Sequence, residues 1–305
     1  MEEKPLNIRR IAQLSGCSPS TVSRVLSGRN TSIRISEATR RRILEVCRQQ
    51  DYHPSIHAAR FFSGRAGVIG FLVAAESMLD DDNLSRSFFS VCRELFRYNY
   101  RTLPLLGNRP FIETGDYLNI FKRNEIDGLI IWGAQEKHTF LHDLAASGYP
   151  FLLLTNRVGN YPAVYAAQQE AVRQLTCRCI GRGAKRIAAI MSRNGDSYRA
   201  RLAGFLEAAA DHEPYLVYGE ELTLSDALPL ADDVLDHAPD AVICANDETA
   251  LAVETRCLER GIRIPEDMSV VSFDDIGEMR NFCGFPFGYV KMPLAQMTED
   301  AIQYL

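Results

Sequence analysis

The chain has 305 residues, 46% hydrophobic and 24% charged, with a formal net charge of -5. That length exceeds one ordinary core and calls for a small head plus two domains, and the composition is globular rather than disordered or collagen-like. There is no run of about 20 apolar residues to form a membrane-spanning helix, and the acidic start Met1-Glu2-Glu3-Lys4-Pro5 lacks the apolar core of a signal peptide, so a cytoplasmic location is expected.

Charge is unevenly spread. Residues 1–65 hold 12 Lys and Arg against 5 Asp and Glu, while the remainder holds 22 against 34. A basic head on an acidic body is what a nucleic-acid-binding head on a body that does not bind nucleic acid requires. The eight cysteines include no Cys-x-x-Cys, and free thiols are expected rather than metal ligands or disulfides. No cofactor or metal is expected.

In chain order, Asn7 to Leu26 reads as two short helices joined by a tight turn. Ile8, Ile11 and Ala12 form one apolar stripe and Val22, Val25 and Leu26 another. Between them Gly16 suits the turn, Ser18 the N-cap and Pro19 the first helical position. The exposed start of the second helix then carries Pro19, Ser20, Thr21, Ser23 and Arg24. Short hydroxyls with one arginine suit a DNA backbone and a base edge, as in a helix-turn-helix; an ordinary helical hairpin is the bland alternative. Asn7 and Ser18 join the DNA-contacting set. A third helix, capped by Ser36 and running to about Gln50, should close the core through Ile43, Leu44 and Cys47. Arg40, Arg41 and Arg42 stand near its start, against the helix dipole, where phosphate would suit them.

The body alternates strands and helices. Strands are expected at 68–73, 102–106, 126–132, 151–155, 186–191, 215–218, 241–245 and 268–273, with amphipathic helices between them. That rhythm means βαβ units in two doubly wound lobes. Ligands in such sheets bind beyond the carboxyl ends of the strands. The candidates there are Trp132, Asn156, Asn246-Asp247 and Asp274-Asp275, with Arg201 on a later helix. Asparagine, aspartate and arginine suit sugar hydroxyls, and an aromatic face suits sugar C–H groups. Trp132 also reads as packing, Asp247 as a helix start and Asp275 as a loop cap. Trp132, Asn156, Arg201, Asn246 and Asp274 form the expected effector set.

Ile11-Ala12, Gly16, the run Ser18-Pro19-Ser20-Thr21-Val22-Ser23-Arg24-Val25-Leu26 and the Tyr52-x-Pro54 turn resemble the lactose-repressor/galactose-repressor (LacI-type) family of bacterial transcription regulators. Looser landmarks follow in Asp127-Gly128-Leu129, Arg201-Leu202-Ala203-Gly204-Phe205, Ala245-Asn246-Asp247, Ile264 to Asp275 and Val290-Lys291-Met292-Pro293. The resemblance implies a helix-turn-helix head at 1–54 and a hinge helix at 55–65 whose Phe61 wedges into the minor groove beside Arg60. It also implies a periplasmic-binding-protein-like core, with lobe one at 66–160 plus about 291–305 and lobe two at 161–290. The implied function is a dimeric repressor of a palindromic operator, controlled by a small-molecule effector, a sugar or sugar derivative, bound between the lobes. The chain departs from the family at Ala167-Gln168, Gly183-Ala184 and Asn156, where a frequent carboxylate is replaced. It also stops at Leu305, where the family usually continues into a further strand. An enzyme is not expected, since no phosphate loop, dinucleotide turn, His-Glu-x-x-His or Gly-x-Ser-x-Gly occurs. The remaining alternative is a sugar-binding protein with a vestigial head.

Overall fold

A computed structural model describes residues 7–27, 35–52, 65–79, 82–220, 222–274 and 288–305. The head consists of α1 (Ile8–Ser15), α2 (Pro19–Ser27) and α3 (Glu37–Gln49). Asn7 starts α1, its side-chain oxygen accepting from the Arg10 N–H at 3.1 Å. Gly16 ends it at φ 62°, a left-handed turn that glycine adopts without strain. Ser18 caps α2 by accepting from the Thr21 N–H, and Ser36 caps α3 by accepting from that of Thr39. Ile11, Ala12, Val22, Val25, Ile43 and Cys47 bury the core.

Leu44 departs from expectation, being 44% exposed. Ile43 and Cys47, four residues apart, already occupy the inward face of α3, and Leu44 falls a third of a turn away from it.

The first lobe is a parallel sheet of order β2-β1-β3-β4-β5. Its strands are β1 (Val68–Val73), β2 (Arg101–Leu106), β3 (Gly128–Trp132), β4 (Phe151–Leu154) and β5 (Ala163–Val164). β1, β3 and β4 are buried along their whole length, because helices cover both faces of a doubly wound sheet. Those helices include α4 (Asp82–Arg97), α5 (Arg109–Glu113), α6 (Asp116–Lys122) and α7 (Phe140–Ser147). The Asp127 carboxylate fixes the entry to β1 by accepting from the Ala66 and Gly67 N–H groups at 2.7 and 2.8 Å.

The second lobe is a parallel sheet of order β10-β9-β8-β6-β7. It contains β6 (Ile187–Met191), β7 (Tyr215–Tyr218), β8 (Ala241–Cys244), β9 (Ser269–Phe273) and β10 (Gly288–Val290). Its helices are α8 (Gln168–Gly181), α9 (Asp196–Ala209), α10 (Leu224–Asp236) and α11 (Asp247–Arg260). Gly204 lets α9 lie against α8, since a Cβ there would collide with the Gln169 carbonyl.

All eight expected strands are present. β5 and β10 are additional, at two and three residues too short to leave a periodic trace. β5 pairs with β4 although it lies past residue 160, where the sequence reading ends the first lobe. The last helix, α12 (Leu294–Tyr304), returns to the first lobe, where the Thr298 hydroxyl donates to Ser90 of α4 at 3.0 Å. The chain therefore crosses between lobes before α8 and again before α12. The seven described cysteines are free thiols. Among the described residues no helix is long and apolar enough to cross a membrane.

Candidate functional site

Two regions gather the expected functional residues. In the head, Ser18, Pro19 and Ser20 are exposed at the start of α2, and Thr21, Ser23 and Arg24 are partly exposed. The Ser18 hydroxyl lies 2.8 Å from those of Ser20 and Thr21, which makes one hydroxyl cluster around the cap. Asn7 is exposed at the start of α1, and Arg40, Arg41 and Arg42 are exposed on α3. Arg42 also reaches the Cys17 sulfur at 3.5 Å. Hydroxyls and exposed N–H groups at helix starts, flanked by arginines, form a surface suited to phosphate. Arg60, Phe61 and the rest of the hinge lie outside the described residues, as does Asp275.

In the body, the carboxyl ends of both sheets face one cleft of ≈ 260 Å³. Trp132 and Asn156 reach it from the first lobe, Arg201 and Asp274 from the second. Trp132 ends β3 and is 4% exposed. Asn156, just past β4, donates to the Ala134 carbonyl at 3.2 Å and accepts from the Ser197 hydroxyl at 3.0 Å. Ser197 accepts from Gln168, whose oxygen in turn accepts from Arg201 Nε at 2.8 Å. Arg201 also donates to the Ala245 carbonyl at 2.6 Å and to Asp274 at 3.3 Å. Its guanidinium lies 3.8 Å from the Phe273 ring centre and 5.2 Å from that of Tyr198.

Asp274 is 5% exposed and adopts φ 68°, a left-handed conformation that aspartate tolerates better than most residues with a side chain. Burial pushes its carboxyl up, and the neighbouring Arg201 charge pulls it back. The Asp247 carboxyl is pushed up to about 6, first by burial and then by the charge of Asp274. Asp247 also accepts from the Glu248 N–H at the start of α11, so it serves the helix start while its charge acts on Asp274.

Asn246 is not among the residues lining this cleft. Its side-chain oxygen caps α11 through Thr249, and its nitrogen donates to the Leu222 carbonyl at 3.0 Å. An asparagine between a strand end and a helix can serve either task; here the cap takes it. Gln168, Ser197, Tyr198, Met78 and Met292 line the cleft without being singled out in the sequence. Gln168 stands where the chain departs from its family resemblance, which was the only signal. A more open groove of ≈ 410 Å³ adjoins, sharing Asn156, Gln168 and Ser197 as its wall. Among the described residues no cluster of three or more His, Cys, Asp or Glu could hold a metal.

Comparison with known proteins bears on both regions. Residues 7–55 match the family model of bacterial regulatory proteins, lacI family, and residues 177–305 match that of the periplasmic binding protein-like domain. The chain is 26% identical to the HTH-type transcriptional repressor PurR of Vibrio cholerae serotype O1 (strain M66-2), across 98% of this chain and 90% of that protein. It is 25% identical to the ribose operon repressor of Bacillus subtilis (strain 168), with the same coverage. In structure it superposes on the Lac repressor dimer bound to operator and the anti-inducer ONPF with a TM-score of 0.80 at 19% identity, covering 98% of this chain and 91% of that one.

Proposed function

The chain joins a DNA-binding domain of the lacI family of bacterial regulatory proteins to a periplasmic binding protein-like domain, and we propose that it is a transcriptional repressor controlled by a small molecule. It binds a palindromic operator as a dimer, two heads on two half-sites. A sugar or sugar derivative in the cleft changes the angle between the lobes and thereby the affinity for DNA. The observation that carries this reading is the convergence of Trp132 and Asn156 from one lobe with Arg201 and Asp274 from the other on a single polar cleft. A ligand held from both sides responds to, and alters, the lobe angle.

In the head, Ser18, Pro19, Ser20, Thr21 and Ser23 meet the backbone with Asn7, and Arg24 reads a base edge. Arg60 and Phe61, assigned by resemblance, enter the minor groove at the operator centre. We place the head at 1–54, the hinge at 55–65, the first lobe from 66 to about 165 with 291–305, and the second between them. The relatives are transcriptional regulators rather than enzymes, and the protein acts in the cytoplasm without catalysing a reaction. The side-chain N-caps on all three described helices of the head argue against a vestigial domain.

The test is selection of a binding sequence from random duplexes by the full chain, followed by mobility shift with and without sugars. A recovered palindrome whose binding a sugar alters supports the reading. Absence of selective, salt-sensitive DNA binding overturns it.

A further inference from the structure

We infer that His138 is a proton-sensitive latch on the turn that walls the first-lobe side of the cleft: its neutral ring holds the backbone of Gln135, and its protonated ring releases it. What the release does to a cleft ligand rests on the reading of that cleft as the effector site; the latch itself does not.

The turn leaves β3 at Trp132 and enters α7 at Phe140. Trp132, Gly133 and Gln135 line the cleft, so the turn is part of its wall. Its first half is tied down by the Ala74 N–H, which donates to the Trp132 carbonyl at 3.0 Å, and by Asn156, which donates to that of Ala134 at 3.2 Å. Its second half is closed twice between Gln135 and His138. The His138 N–H donates to the Gln135 carbonyl at 3.0 Å, and the Gln135 N–H donates to His138 Nδ1 at 3.1 Å. A ring nitrogen that accepts carries no hydrogen, so the neutral ring keeps its proton on Nε2. In the imidazolium both nitrogens carry hydrogen. Nδ1 then becomes a donor facing a donor, and the bond to Gln135 is lost.

The surroundings set the direction of the switch. His138 is half-buried, with its ring centre 5.8 Å from that of Phe140. Burial pushes the ring below its ordinary 6.5, and the neighbouring Lys137 charge pushes it the same way. On its other side His138 lines a surface pocket of ≈ 510 Å³ with Glu136, His142 and Asp143, and with Tyr161 from the segment between β4 and β5. Asp143 there accepts from the Tyr117 hydroxyl of α6 at 2.8 Å. The Glu136 and Asp143 carboxylates give a charged ring a destination once it lets go of Gln135. Because the folded value is lowered, the latched state prefers the neutral ring. The latch is therefore closed above an ordinary 6.5 and opens as pH falls below it.

Trp132 is the only tryptophan in the chain, so its fluorescence reads this turn with no ligand added. In the full chain, emission should move to longer wavelength and acrylamide quenching should rise as pH falls from about 8 to about 5, across the range in which histidine titrates. Loss of one hydrogen bond should raise the open fraction of the turn about fivefold. His138→Asn puts an oxygen where Nδ1 stands, an acceptor at every pH in this range, and should keep the quenching of the neutral wild type throughout. His138→Phe has no acceptor and should show the acid form's quenching at every pH. Far-ultraviolet circular dichroism checks that both variants fold; should one fail, the other decides against the wild type. A wild type whose quenching does not change with pH overturns the latch. Asp247, at about 6, stays in place in all three chains. A step that survives in His138→Asn therefore belongs to another group and overturns the latch, as does a His138→Phe chain as protected as the neutral wild type. None of these failures touches the reading of the cleft as the effector site.

Discussion

Asn156 in the first lobe accepts a hydrogen bond from the Ser197 hydroxyl in the second at 3.0 Å. Behind Ser197 the bonds continue through Gln168 and Arg201 to Asp274. The groups that would meet a ligand and the bond that joins the lobes therefore belong to one network. Ser197→Ala removes the crossing bond and leaves a Gln168 N–H without its partner, at a cost of about 0.5–1.5 kcal/mol to this arrangement. The variant should fold, bind DNA, and show a smaller change in DNA affinity on adding a cleft ligand. Fluorescence anisotropy on operator DNA measures that change, and an undiminished response would separate the network from the switch.

Arg24 and Arg41 should fail differently. Arg24→Ala should cost about 1–3 kcal/mol at the operator and relax preference at one base pair, as loss of a bidentate arginine–guanine pair does. Arg41→Ala should weaken all sequences alike and flatten the salt dependence by about one phosphate contact. Binding to a set of single-base operator variants at two salt concentrations distinguishes the two. Unchanged base preference in Arg24→Ala would mean that another face of the head reads DNA.

The close crossing of α8 and α9 predicts a stability effect remote from any ligand. In Gly204→Ala the new methyl meets the Gln169 carbonyl, which belongs to helix backbone and yields only if the helices part. Overpacking of this kind costs about 1–3 kcal/mol. Urea unfolding should show an earlier midpoint with an unaltered slope, and a wild-type midpoint would mean that the helices separate freely.

Two acidic groups, Asp247 near Asp274 and Asp240 at the opposite, amino end of the second sheet, give stability a sign with pH. Asp247 is raised to about 6 in the folded chain from an ordinary 3.8, so the folded state holds the proton more tightly. Its contribution therefore disfavours the fold at neutral pH and is relieved as pH falls through about 6 towards 4. Asp240, lowered to about 2 by Arg186 and the Lys185 and Arg186 N–H groups, acts oppositely, and its contribution is lost only below the ordinary carboxylate range. Asp247→Asn should remove a pH dependence of roughly 1–3 kcal/mol between those limits. Unfolding curves across that window measure it, and an unchanged slope would place the titration elsewhere.

Much of this was legible in the sequence for local reasons. Ser18 and Ser36 precede apolar periodic runs, so their caps could be read without knowing the tertiary fold. Trp132 ends one strand of a parallel sheet and Asp274 follows another, and ligands of such sheets sit at those carboxyl ends. Leu44 was misread because a run of neighbouring apolar residues hides which one faces inward. Gln168 and Ser197 were missed because their partners are distant in sequence: Arg201 lies 33 residues from Gln168, and Asn156 lies 41 from Ser197. Asn246 reads from the sequence as an effector contact, with the helix start assigned to Asp247, and its tie to the Leu222 carbonyl comes from another loop.

Coupling between the cleft and the head must be reciprocal. Operator affinity of the full chain should be measured with and without the sugar that stabilises it most, and affinity for that sugar with and without operator. Both affinities should change, and by the same factor, as linkage requires of two sites on one molecule. A sugar that binds the cleft while leaving operator affinity unaltered would contradict that coupling.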